Sequence, residues 1–219
     1  MHSSYGGKLK RIERQIHHYG SGLNAQVLLA AFRDDPSDSY LLRTGYAGST
    51  GALANINQDG FPSAAFHSFP DTLKWDGITG DYGGGFIGMA LNSGTYVAQE
   101  EDIGLVAYGG ILSNNGDSVT VQPKGPVRRR VFIGPLSVLI SVDAGEVQEF
   151  SYNVTDSTVS VTLGQQELSP TASQAAIWVE STAEDSWCVT ADGISEGRGG
   201  WVLPLAADAA TTFQLGTSC

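Results

Sequence analysis

The chain has 219 residues, a formal net charge of −11 and only 16% charged residues, with an isoelectric point near 4.6. Its 41% hydrophobic and 9% aromatic content supports a packed core of one large domain or two small ones and excludes a disordered chain. The acidic balance excludes a nucleic-acid binder, which needs a basic footprint, and no run approaches the ~20 apolar residues that cross a bilayer.

In chain order, Lys8 to Tyr19 places Leu9, Ile12, Ile16 and Tyr19 on one helical stripe, with Gly20 as its stop. His17-His18 falls at that helix's C-terminal end, where a cation is favoured, and has no partner set for a metal. Ser21 reads as the N-cap of a second helix, Gly22 to Arg33, and Asp34-Asp35-Pro36 as its end. A third segment, about Ser37 to Asn57, carries Tyr40, Leu41, Leu42, Tyr46, Leu53 and Ile56. Its small residues suggest close helix packing or an interruption. Residues 58–85 form a long irregular stretch, and loops of that length in compact domains usually have a function. The apolar run from about Phe86 to Ala98 predicts a fourth helix.

From Ile103 the period changes to two. Strands are expected at 103–108, 118–122, 129–133, 136–142, 147–153, 157–163, 175–180, 186–191, 200–203 and 211–215. Turn signals separate them at Asn114-Asn115-Gly116-Asp117, Asp143-Ala144-Gly145 and Thr155-Asp156. In 157–163, Val159, Val161 and Leu163 face one way, and Thr158, Ser160 and Thr162 the other. Short strands with turns about every ten residues predict an antiparallel sandwich.

The paired helices, the loop rich in Gly, aromatic residues and acids, and the passage into a sandwich together resemble the end of a six-hairpin (α/α)6 glycosidase-like protein. The passage from Gly45 to Gly110, GYAGSTGALANINQDGFPSAAFHSFPDTLKWDGITGDYGGGFIGMALNSGTYVAQEEDIGLVAYGG, is similar to the C-terminal region of large secreted proteins of carbohydrate-active type. The resemblance covers about residues 5–165. It implies an α+β fold, with part of a helical toroid over residues 1–115 and an antiparallel β-sandwich over 116–219. It implies hydrolysis of a glycosidic bond in a polysaccharide or oligosaccharide. It also implies a fragment of a longer secreted chain, in contact with helices upstream of Met1. The opening Met1-His2-Ser3-Ser4-Tyr5-Gly6-Gly7-Lys8 is no signal peptide, which fits that expectation. The alternatives are a non-catalytic carbohydrate-binding or interaction domain, and an inactive truncated gene product.

Glycoside hydrolysis needs two carboxyl groups flanking the scissile bond, and sugars stack on aromatic rings. The 58–85 loop offers Asp59, Asp76 and Asp81 as catalytic carboxylates, with Phe66, His67, Trp75 and Tyr82 as substrate-binding groups. The bland reading makes the aspartates turn formers or caps and Trp75 a core anchor. Glu100-Glu101-Asp102 reads as a solvated junction, and otherwise as part of the site or a calcium ligand set. Arg128 and Arg130 would share one strand face and protect a sheet edge, or grip an anionic sugar. There is no GxSxG elbow, P-loop or Cys/His cluster, so no cofactor and no metal are expected. Cys188 and Cys219 either pair or stay free thiols, and Asn153-Val154-Thr155 is an N-glycosylation sequon.

Overall fold

The computed structural model describes residues 18–51, 53, 88, 90, 92–165, 172–183 and 186–217. The chain divides into two units, Met1–Ser93 and Gly94–Cys219.

In the first unit, α1 (His18–Asp34) and α2 (Ser39–Thr50) pack together. Ala25, Leu29 and Phe32 of α1 are buried at the helical spacing of four and three, as are Leu42, Gly45 and Gly48–Ser49 of α2. Gly45 marks the close approach: a β-carbon there would stand 3.1 Å from Leu28 Cβ and from Leu29 Cγ. Asp35 and Asp38 break the chain between the helices. Asp35 Oδ1 accepts from Ser37 N and Oγ, at 3.2 and 2.6 Å. Asp38 caps α2 by accepting from Tyr40 N at 3.1 Å. Gly20 and Ser21, read as a stop and an N-cap, instead lie inside α1. A glycine costs a helix about 1 kcal/mol, which burial of one face of α1 outweighs.

Among its described residues the second unit is a β-sandwich of thirteen strands: β1 (Thr95–Glu100), β2 (Gly104–Tyr108), β3 (Gly110–Asn114), β4 (Val119–Pro123), β5 (Arg130–Ile133), β6 (Val138–Val142), β7 (Glu146–Asn153), β8 (Thr158–Gly164), β9 (Gln174–Ser181), β10 (Cys188–Thr190), β11 (Ser195–Gly197), β12 (Gly200–Pro204) and β13 (Thr211–Gly216). One sheet has seven strands in the order β11-β12-β9-β6-β5-β1-β2, and the other has six, β10-β13-β8-β7-β4-β3. β1 and β5 pair parallel, and the other ladders are antiparallel. Val97, Ile133, Ile140, Ile177 and Leu203 from the first sheet meet Val121, Phe150, Val161, Phe213 and Leu215 from the second in one buried cluster. In β8, Val159, Val161 and Leu163 are buried and Thr158 is exposed, as the alternation predicts.

The expected α+β fold with a partial helical toroid is overturned. Among the described residues the molecule is mostly β, with two helices, two large sheets and no helical toroid. The misreading began at Phe86–Ala98, because Thr95–Glu100 is the strand β1. Thr95 to Ala98 are all buried, so they show no alternation, and a short apolar strand of that kind cannot be told from a buried helix by period. Their β-branched and aromatic side chains suit the sheet. The strand expected at 103–108 contains β2, and β1 and β3 flank it.

Two charge runs also behave differently. β5 lies inside its sheet, between β6 and β1, so the arginines guard no edge. Arg128 donates to the carbonyls of Lys124 and Gly94, at 2.7 and 2.8 Å. Arg129 donates to those of Gly145 and Asp143, at 3.0 and 2.7 Å. They fasten loops. Glu100 is not solvated: it is fully buried and accepts from the Tyr108 hydroxyl at 2.8 Å. Glu101 and Asp102 are exposed.

Candidate functional site

Every residue of the 58–85 loop assigned to the site lies outside the described residues: Asp59, Asp76, Asp81, Phe66, His67, Trp75 and Tyr82. The described residues offer a different site, built at the end of the seven-stranded sheet.

β11 and β12 form a hairpin in which Glu196 stands opposite Trp201 and Gly197 opposite Gly200. Arg198 and Gly199 make its turn, with φ of 54° and 74°, the left-handed pair that a two-residue hairpin turn requires. β12 then pairs with β9 from Trp201↔Ile177 to Pro204↔Gln174. β9 continues past the hairpin as Trp178, Val179 and Glu180, and a hollow of about 480 Å³ opens there. Its lining includes Trp178, Glu180, Glu196 and Trp201, with Gly199 and Gly200 between them. The volume falls within the range typical of small-molecule sites.

Period two explains who contributes what. Ile177 and its partner Trp201 turn toward the core, where Trp201 packs half-buried against the apolar cluster. Trp178 and Glu180 therefore lie on the other face of β9, and the hollow wraps the end of the hairpin rather than lying flat on one face. Trp178 is held in place, because its Nε1 donates to the Arg198 carbonyl at 3.1 Å. Arg198 is held in turn by an ion pair of 3.1 Å from its Nη1 to Asp143 Oδ2. The other carboxylate oxygen of Asp143 accepts from Ala176 N at 2.7 Å. Asp143 thus ties the hairpin turn to the backbone of β9. Gly200 is required: a β-carbon there would collide with the Ile177 carbonyl and stand 3.1 Å from Trp178 Cδ1.

Sequence reasoning missed these four side chains. Trp178-Val179-Glu180 did carry a signal, an aromatic ring and an acid two apart on one strand face. Glu196 and Trp201 join them only through the hairpin register. The Asn153 sequon sits at the β7–β8 turn, where Asn153 Oδ1 accepts from Thr155 N and Asp156 N at 2.8 and 3.2 Å.

Among the described residues no group of three or more His, Cys, Asp or Glu is placed to hold a metal ion, and no helix is long and apolar enough to cross a membrane. Cys188 is disulfide-bonded, and the sequence holds one other cysteine, Cys219. A family model described as a family of unknown function (DUF5695) matches residues 2–213. No curated protein and no solved structure matches the chain.

Proposed function

Since the chain belongs to DUF5695, a family of unknown function, we propose from its own residues that it is a carbohydrate-active protein whose sandwich holds a polysaccharide or oligosaccharide in the hollow at the end of the β11–β12 hairpin. The observation that carries this reading is the lining itself, in which two indoles and two carboxylates surround one hollow. The apolar C–H face of a pyranose stacks on an indole, while carboxylate oxygens accept hydrogen bonds from its hydroxyls. Trp178 is fixed by its bond to Arg198, so it meets a ligand already oriented, and little ordering cost remains. The disulfide at Cys188 supports an extracellular place of work, since such bonds persist in oxidising compartments.

Hydrolysis is a second reading, favoured by the presence of two carboxylates, Glu180 and Glu196, on one hollow. Asp59, Asp76 and Asp81 belong to this reading as well.

Affinity electrophoresis against a panel of neutral, cationic and anionic soluble polysaccharides tests both readings. We expect at least one to retard the protein, and Trp178→Ala to weaken that binding by about tenfold or more, the scale of a lost stacking contact of roughly 1–3 kcal/mol. Retardation that is unchanged in Trp178→Ala, Glu180→Gln and Glu196→Gln would sink the assignment of the hollow. Release of reducing ends that disappears in either Glu→Gln variant would make the protein a hydrolase. Release lost only in Asn variants of Asp59, Asp76 or Asp81 would move catalysis to the loop.

A further inference from the structure

We infer that the hollow selects positive charge. Within the carbohydrate reading, on which this rests, its ligand class is the amino sugars with free amines.

The argument starts from donors and acceptors. The charged side chains of the lining are Glu180 and Glu196, both acidic. Carboxylates accept hydrogen bonds and donate none. The Trp178 N–H is already engaged by the Arg198 carbonyl, which leaves Trp201 Nε1 as the other side-chain donor of the lining. Gly199 and Gly200 contribute no side chain. Charged acceptors thus outnumber side-chain donors in the lining, which favours a ligand rich in donors, and an ammonium group brings three with a full charge.

The surrounding charges agree. Arg198 sits in the hairpin turn beside the hollow, but its guanidinium is committed to Asp143 at 3.1 Å. On the same sheet face, Trp178 is followed across the strands by Ser141 and then Arg130, and Glu180 by Leu139 and then Phe132. The nearest cation in those rows is thus two strands away, roughly 9–10 Å at the usual strand spacing. An anionic sugar would meet two carboxylates, with the adjacent Arg198 guanidinium already paired to Asp143. A cationic one would meet carboxylates of the lining together with the Trp178 indole, and indole is the best ring for holding a cation.

The test is calorimetric titration of the 219-residue chain at low salt, with three probes of equal length: a glucosamine tetramer, an N-acetylglucosamine tetramer and a galacturonic acid tetramer. The pH is set below the pKa of the free amine. We expect the glucosamine tetramer to bind about tenfold more tightly than its acetylated counterpart, the size of one well-placed cation–π and charge contact. The uronic acid tetramer should bind weakest. The advantage should vanish in the Glu180→Gln/Glu196→Gln double variant and shrink as salt is added. Both glutamates are exposed, so this variant should fold, which a native circular dichroism spectrum checks. Equal binding of the free and acetylated tetramers, or stronger binding of the uronic acid, overturns charge selection and leaves the carbohydrate reading in place. Failure of all three tetramers and of the neutral polysaccharides to bind removes that reading, and this inference with it.

Discussion

Tyr152 lies on β7 with 2% of its surface exposed, and its hydroxyl has no hydrogen-bond partner among the described residues. Its neighbours across the strands are Val119 and Val159, both buried, so the oxygen sits in the apolar layer between the sheets. Burial alone pushes the phenol up from 10.0 to about 12, because the phenolate would lose its water. The consequence for stability has a definite sign. Below pH 10 the hydroxyl is protonated in both the folded and unfolded chains and adds no pH dependence. Between about pH 10 and 12 the unfolded chain releases this proton and the folded chain keeps it, so stability falls as pH rises, by about 2–3 kcal/mol over the window. Tyr152→Phe removes that slope. It also removes an unsatisfied buried polar atom, and should stabilise the protein by about 1 kcal/mol at pH 7. Urea unfolding of both proteins at pH 7, 9 and 11 reads the two effects, and the difference between them cancels the titration of other tyrosines and lysines. Parallel pH profiles for wild type and Tyr152→Phe would show that the hydroxyl has found a partner in solution.

The hairpin β11–β12 is where a single atom decides the behaviour of an element. Gly200 abuts the Ile177 carbonyl at the start of the β12–β9 ladder. Gly200→Ala must push the backbones apart there, and overpacking of this kind costs about 3 kcal/mol at the upper end of its usual range. Hydrogen exchange should speed up along Trp201–Leu203 and β9 while β8 and β13 keep their protection. Urea unfolding should show the matching loss. Unchanged exchange in β12 would mean that the hairpin relaxes freely and does not form a rigid wall of the hollow. Elements of this sandwich differ in how plainly the sequence declares them. β8 is legible because one face is buried and the other wet, so Val159, Val161 and Leu163 stand out against Thr158, Ser160 and Thr162. β1 is not legible, because Thr95–Ala98 are buried throughout and the pattern has no second face to reveal. β11 has three residues, too short for any period to appear. The hollow was illegible for a further reason. Glu196 reaches Trp201 by a turn, and Trp201 reaches β9 by register, so its parts share a place only after the sheet has formed.

At the scale of the molecule, two sheets built of strands distant in sequence make most contacts non-local, and the short strand at one sheet edge has little to hold it. β10 is a three-residue strand at the edge of the six-stranded sheet, paired to β13 through Cys188↔Gly216. Such an element contributes few ladder bonds and little core, with Val189 as its buried side chain. The disulfide at Cys188 changes the balance. Cys219 is the other cysteine of the sequence, and a bond between the two would close a loop of about thirty residues that contains β11, β12 and β13. In the chain-entropy account, a loop of that length removes unfolded conformations equivalent to about 3–4 kcal/mol. The same loop encloses Glu196 and Trp201, so the constraint acts on the hairpin that walls the hollow. Intact mass without reductant should therefore be two hydrogens lighter than the sequence mass. Reductant should lower the urea midpoint by the equivalent of about 3 kcal/mol, and a Cys188→Ser/Cys219→Ser double variant should match the reduced protein and ignore reductant. A midpoint indifferent to reductant in the wild type would mean that folding of the β10–β13 edge does not depend on the cross-link. Binding in the hollow should follow stability here rather than lead it, because Cys188 is not among the residues that line it. Ligand affinity measured well below the unfolding midpoint should survive reduction within about twofold, a difference of roughly 0.4 kcal/mol, while the loss of stability persists. A collapse of affinity in the still-folded reduced protein would instead make the cross-link part of the hollow's geometry.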